Sequence, residues 1–251
     1  MTQTDVPFET AHRPWPVPSR PWVLAMQWHD LLFAHWPLPS ERLRALIPPP
    51  LVLDIYEGTA WLGVVPFMMR GTTPRGMPAL PRLSAFAELN VRTYVTLDGR
   101  PGVWFFSLDA ANPLAVLAAR LGFRLPYYDA RMHCARDGAD VTYASTRTHP
   151  PAPPAAFAAR YRPTGPVYRA EAGSLERWLT ERYCLYAADR HGHAWRGEIH
   201  HLPWPLQPAE AEIEHNTMAA PLRLELPDRP PLLHFARRLD VVAWTLVPAH
   251  G

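Results

Sequence analysis

The 31 prolines spread along this 251-residue chain set the strongest limit on what it can fold into. Proline has no backbone N–H to give to a ladder and breaks helix interiors. Pro-rich pieces recur at 14–21, 48–50, 150–154, 203–208 and 227–231. Many short elements are therefore expected. Each piece is flanked at once by aromatic or aliphatic residues, so the prolines read as punctuation between packed elements and not as disordered linkers.

A hydrophobic fraction of 48% supports a substantial core. No internal repeat or shift of composition divides the chain. The expected organisation is an arm over 1–20, pinned by Trp15 and Trp22, and a single domain over 21–251. With 25 basic and 23 acidic residues and no run of like charge, nothing marks a nucleic-acid surface. Cys134 and Cys184 make no disulfide framework. The N-terminus lacks a basic start followed by an apolar stretch, and no apolar run reaches the ~18 residues of a membrane span. A soluble cytoplasmic protein with no membrane partner is expected; assembly into a homo-oligomer stays open.

Residue types place the elements. Ser40 is suited to cap a helix over 41–47, which three prolines end. Strands are expected over 51–56 and 60–69, then a loop to about residue 81. Residues 86–109 read as a hairpin around Asp98-Gly99-Arg100-Pro101-Gly102. Asn112-Pro113 opens a helix over 114–121. A second hairpin joins 125–134 to 141–148 around Asp137-Gly138. A helical turn is expected over 157–161, and a helix capped by Ser174 over 175–186 with Leu175, Trp178, Leu179 and Tyr183 on one face. Short strands are expected at 193–201, 209–215, 222–226 and 233–246. Many strands with few helices indicate a mainly antiparallel sheet, open to closure into a barrel.

The stretch 88–95 carries the most chemistry. Side chains alternate across a strand, so Glu88, Asn90, Arg92 and Tyr94 share one face and Leu89, Val91, Thr93 and Val95 the other. The polar row is either a solvated outer face or the wall of a pocket. Apolar neighbours over 103–106 favour the pocket. There, Arg92 offers a fork of donors to a carboxylate or phosphate. Glu88 would have its charged form disfavoured and serve as acid or base, a shift that a close Arg92 would oppose. Tyr94 could donate to a developing oxyanion. Ser107 and Asp109 lie on the partner strand with the parity of Val103 and Phe105. Whether they face Glu88 depends on register, and Asp109 can equally support the turn into the helix.

Other candidates read as structural. Tyr127, Asp129, Arg131 and His133 form a second polar row, expected to be solvated. Glu181 and Arg182 suggest a surface ion pair at a helix end, or else an arginine reaching into the barrel mouth. His191, His193, His200 and His201 crowd together without a recognised carboxylate or cysteine partner, and no metal is expected. His35, between Phe33 and Trp36, reads as a core histidine. No Gly-rich phosphate loop or Gly-x-Ser-x-Gly elbow occurs, so no cofactor is expected.

Several stretches together are distinctive: 32–37, Asp54-x-Tyr56-x-Gly58-x-Ala60-Trp61, Phe86-x-Glu88 through Val95, 102–109, and 179–183. They resemble the YqjF-like family of the acetoacetate-decarboxylase-like superfamily, over about 22–244. The resemblance implies one large curved antiparallel sheet forming a cone-like barrel around a ligand pocket. In true acetoacetate decarboxylases a buried glutamate precedes a hairpin, and a lysine that follows forms a Schiff base. Glu88 resembles the glutamate. The lysine region resembles 106–109, which contains none. All 25 Lys+Arg positions are arginine. Arginine keeps its proton and cannot form the imine. A GC-rich genome would give the same bias without function, but the exclusion of a lysine imine stands either way, leaving the N-terminal amine as the chain's one primary amine.

The sequence therefore points to a pocket for a small organic acid or carbonyl compound. Arg92 would hold the anion, Glu88 would move protons, and Asn90 and Tyr94 would orient the ligand. As an enzyme, it would perform lyase or enolisation chemistry without an imine. The alternatives are a binding or sensing module whose Trp61 and Trp104 line an apolar cavity, and a structural protein with no ligand.

Overall fold

The computed structural model describes residues 8–78, 84–189 and 191–249. Its strands are β1 (Leu24–Leu38), β2 (Val52–Leu53), β3 (Ala60–Pro74), β4 (Phe86–Leu97), β5 (Arg100–Ala110), β6 (Tyr127–Asp137), β7 (Asp140–Arg147), β8 (Ala156–Pro163), β9 (Cys184–Ala188), β10 (Ala194–His200), β11 (Leu206–Asn216), β12 (Leu232–Ala243) and β13 (Val247–Pro248). The helices are α1 (Ser40–Arg44), α2 (Pro113–Phe123) and α3 (Leu175–Thr180). The protein is mainly β, as expected. The strands join in a single 13-stranded sheet whose hydrogen bonding closes on itself.

The closure has two branches. β12, β1, β3, β4 and β5 form a shared wall. At one end of that wall β5 meets β9 through Val103 and Trp104, and β12 meets β10 through Val242 and Ala243. With β9 and β10 paired, this makes one ring. At the other end β5 meets β6 through Leu108 to Ala110, and β12 meets β11. Strands β6, β7, β8 and β11 complete the second ring. Both new pairings of β5 are parallel, so the sheet is not wholly antiparallel. The β5 ladder carries a bulge at Phe106 between the two pairings, and such a bend lets one strand serve two rings.

The shared wall is buried on both faces. Leu32, Ala34, Leu62, Val64, Leu89 and Val91 pack against Tyr143, Phe157 and Tyr161 in the second ring. Leu31, Phe33, Val65, Phe67 and Phe86 face the first ring. Eleven of the twelve β4 residues are consequently buried, which overturns the solvated reading of its polar row.

Local expectations fared unevenly. Leu97 pairs with Arg100, so the β4–β5 turn has only two central residues, Asp98 and Gly99. Both have positive φ, 51° and 71°, which matches the twist of a tight hairpin. Asn112 caps α2 by accepting from the backbone N–H groups of Leu114 and Ala115. Ser174 caps α3 through the Arg177 N–H at 3.2 Å, but the helix ends at Thr180 and 184–188 form β9. Ser40 lies inside α1, and its hydroxyl bonds Glu41 instead of the backbone. The expected helical turn at 157–161 is strand β8, and the expected strand at 222–226 is replaced by a 3-10 turn at Ala220–Leu222. β3 runs on to Pro74, well into the expected loop, whose residues 79–81 lie outside the described ones.

Residues 1–7 of the expected arm also lie outside the described residues. Residues 8–20 contain no helix or strand. They dock through Arg13 and Trp15, whose side chains donate to Glu198 at 3.1 and 2.8 Å.

Gly102 marks the point where β9 lies against β5. A Cβ there would meet the Tyr186 ring at 2.7 Å, Cys184 Sγ at 2.8 Å and the Cys184 carbonyl at 2.9 Å. Gly102→Ala is expected to destabilise the protein by about 2–3 kcal/mol, the scale of core overpacking. Gly122→Ala, with nothing within 4 Å, should be neutral or stabilising because it sits in α2. Urea denaturation of the two variants checks this; equal stabilities would refute the close approach.

Candidate functional site

A cavity of about 470 Å³ fills the first ring and extends to α2. Glu88, Asn90 and Arg92 of β4 line it. They are 3%, 5% and 8% exposed, so a polar strip lies inside a mainly apolar wall. Leu108 and Phe105 face it from β5, opposite Asn90 and Arg92.

Glu88 sits against Tyr127, whose hydroxyl donates to Oε2 at 3.0 Å. Burial pushes the Glu88 carboxyl up to about 8. The Tyr127 bond opposes the shift, and the charge of Asp109 adds to it. The main cause is desolvation of the ionised form. Tyr143, from the second ring, donates to the Glu88 backbone carbonyl at 2.7 Å and anchors the strand beneath it. Strand alternation alone places Tyr127 in a solvated row with Asp129, Arg131 and His133. Only Arg131 and His133 of that row are exposed. The parallel pairing of β6 with β5 turns Tyr127 toward Glu88, and nothing in a single strand's pattern reports such a pairing.

Arg92 has no carboxylate partner among the described residues. One N–H donates to the Tyr94 hydroxyl at 3.5 Å, and its Nε lacks a partner, as does Asn90 Oδ1. The guanidinium lies 5.1 Å from the Phe33 ring centroid, a contact that offsets part of its desolvation. Buried cations are ordinarily paired; this one is held beside an open cavity with donors to spare. Gly63, across from Arg92, makes room for the packing. A Cβ there would meet the His35 ring at 3.1 Å and Arg92 Cγ at 3.3 Å.

Tyr94 stands behind Arg92, away from the cavity. Its hydroxyl accepts from Arg92 and lies 2.6 Å from His35 Nε2. Burial holds His35 neutral, its pKa well below the ordinary value, so the Tyr94 hydrogen is available to its Nε2. With both bonds made and no exposure, Tyr94 is part of the wall behind Arg92 and does not line the cavity, so the expected oxyanion role does not fit.

Arg182 is not in a surface pair with Glu181. It is 5% exposed, bonds Asp54 Oδ2 at 2.6 Å, and lies over the rings of Trp178 and Tyr94 at 4.4 and 4.8 Å. It braces Tyr94 and does not line the cavity. Trp61 packs in the same cluster. Trp104 packs beside Trp15 and Ile47, in a cluster separate from the cavity wall.

The β5 bulge decides the place of Ser107 and Asp109. They pair with Val91 and Leu89, while Phe105 and Leu108 pair with Arg92 and Asn90. Ser107 and Asp109 therefore lie on the face opposite Glu88. Asp109 is fully buried and takes a bidentate pair from Arg147, at 2.7 and 2.8 Å. Its expected part in proton transfer gives way to a structural one. His193 pairs with Asp189, and His201 stacks on Tyr183. Among the described residues no group of three His, Cys, Asp or Glu side chains is placed to hold a metal.

Comparison with known proteins bears on this arrangement. The model of the DUF2071 family, described as an uncharacterized conserved protein, matches residues 25–240. The chain belongs to the DUF2071 family. It is 47% identical over 230 residues to the uncharacterized protein YqjF of Bacillus subtilis (strain 168), covering 92% of this chain and 94% of that one. This DUF2071 chain also shares its fold with solved structures of low identity. The enduracididine biosynthesis enzyme MppR with bound HEPES superposes with a TM-score of 0.63 at 10% identity, over 92% of this chain and 90% of that one. Acetoacetate decarboxylase of Legionella pneumophila gives 0.58 at 14% identity, over 96% and 94%. A further structure of MppR holds pyruvate, with a TM-score of 0.61 at 8% identity over 98% and 96%. No helix among the described residues is long and apolar enough to cross a membrane.

Proposed function

We propose that the cavity binds an organic acid carrying a carbonyl group, and that Glu88 exchanges a proton with the carbon next to that carbonyl. The observation that carries this reading is the pairing, on one buried strand face, of an unmatched guanidinium with a carboxyl held largely neutral. The ligand carboxylate takes the free donors of Arg92. The Asn90 amide, between the two groups, orients the carbonyl. At neutral pH a carboxyl with a pKa of about 8 is mostly protonated. It can donate to the carbonyl oxygen, and its ionised fraction of roughly one tenth is a strong enough base to take an α-proton. Enolisation needs no imine, so the missing lysine is no obstacle. The pyruvate bound to MppR, a protein of the same fold, supports the choice of ligand class by analogy.

Two measurements test the reading. Keto acids such as 2-oxobutanoate should raise the melting temperature of the wild-type protein, and Arg92→Ala should abolish the rise. In D₂O, the α-protons of the bound keto acid should exchange for deuterium, with Glu88→Gln slowing exchange at least 100-fold while binding persists. Stabilisation without exchange would make the protein a binding module. Stabilisation by neutral compounds alone, indifferent to Arg92→Ala, would defeat the anion site.

A further inference from the structure

The shortest acids of that class would leave most of the cavity, and most of its apolar wall, unfilled. Its 470 Å³ lies in the ~300–1,000 Å³ range of sites that enclose drug-sized ligands. Polar groups are the β4 strip, Tyr127, Thr72 and Asn112, whereas Met26, Trp28, Met69, Phe86, Leu125 and Phe123 supply much of the remaining wall. Water filling that space would find few hydrogen-bond partners.

Two features give the space a direction. Alternate strand residues are ~6.6 Å apart, which separates the Glu88 and Arg92 Cα atoms by ~13 Å. Glu88 is at the α2 end of the strip, since it pairs with Ala110, just ahead of the Asn112 cap. Leu114 of α2 and Met77 line the cavity and yet are 61% and 55% exposed. The apolar wall therefore continues out to a solvent-facing rim beside α2.

We infer that the ligand is amphipathic: a keto acid joined to a hydrophobic body of about eight to twelve carbons, or an aromatic equivalent. Its carboxylate lies at Arg92, and its body runs past Met69 and Phe86 toward Leu114. The acid head rests on the function proposed above; the apolar body rests on the wall alone.

Titration calorimetry with straight-chain 2-oxo acids, from pyruvate to 2-oxododecanoate, tests this beside 1-alkanols of matching length. Affinity is expected to rise about fourfold for each added methylene until the cavity is filled. Ala119→Phe, which puts a ring into the α2 wall of the cavity, should weaken the longest acids at least tenfold and leave pyruvate unchanged, with melting confirming its fold. Equal affinity for short and long acids, still dependent on Arg92, would overturn the hydrophobic body and leave the anion site standing. Alkanols binding as tightly as acids, unaffected by Arg92→Ala, would overturn the acid head and the proposed function together. Failure of every acid to bind would likewise overturn both.

Discussion

Arg147→Ala is expected to destabilise the protein by about 3–5 kcal/mol, enough to threaten the folded state of an ordinary domain. The reason is the residue left behind. Asp109 is fully buried, and both its oxygens accept from Arg147. The Arg147 side chain is only 3% exposed and also covers the Tyr128 ring at 4.2 Å. Removing it strands a desolvated carboxylate between β5 and β7 without its bidentate partner. Asp109→Asn with Arg147→Met removes both charges and should recover much of the loss, because a buried pair is far costlier to break than to replace by neutral groups. Urea denaturation of the single and double variants measures this. A single-variant loss under 1 kcal/mol would show that the pair does not hold the β5–β7 region together.

The second large effect is a pH dependence of stability that Glu88→Gln removes. Glu88 ionises at about 8 in the folded chain, against an ordinary 4.5. Between those values the native state keeps a proton that the unfolded state has released. Stability from this group is therefore full below about pH 4.5 and falls as pH rises toward 8. At the limit the loss is on the order of 4–5 kcal/mol. Buried histidines act in the opposite sense: His35 and His200 have lowered pKa values, and their burial costs stability as the pH falls through the ordinary histidine range. The difference between wild type and Glu88→Gln cancels them. That difference should shift in favour of the variant by several kcal/mol from pH 5 to pH 8, as read by urea denaturation. Parallel curves would mean that Glu88 is ionised in the native protein, and the proton chemistry proposed for it would fall.

The first effect depends on one bulge. Read as an unbroken strand, 103–109 puts Asp109 on the same face as Phe105. The extra residue at Phe106 reverses parity, so Phe105 faces the cavity while Asp109 faces the second ring. The same device hid β1 from the pattern. Met26 and Trp28 face the first ring with Leu31 and Phe33, because Asp30, at φ 51°, interrupts the alternation. A single bulge residue leaves the composition of a strand unchanged and alters every later side chain's face.

By itself, then, the sequence determined the material of the site and not its assembly. Alternation along 88–94 put Glu88, Asn90 and Arg92 on one face, because period two is a property of any extended chain. Strand-favouring runs and turn residues determined that the elements would be mainly strands, but not their length: the prolines suggested short elements, whereas β1 and β3 hold 15 residues each and run through Pro37 and Pro66. The absence of lysine removed a side-chain imine with no structure needed. The tertiary structure decided the rest. It buried the polar row by closing a ring over it. It brought Tyr127 to Glu88 through a parallel pairing, and it sent Asp109 to Arg147. It also set Tyr94, Arg182 and Asp54 behind Arg92, from segments far apart in the chain. These outcomes follow from register, closure and burial, which arise only when distant strands meet.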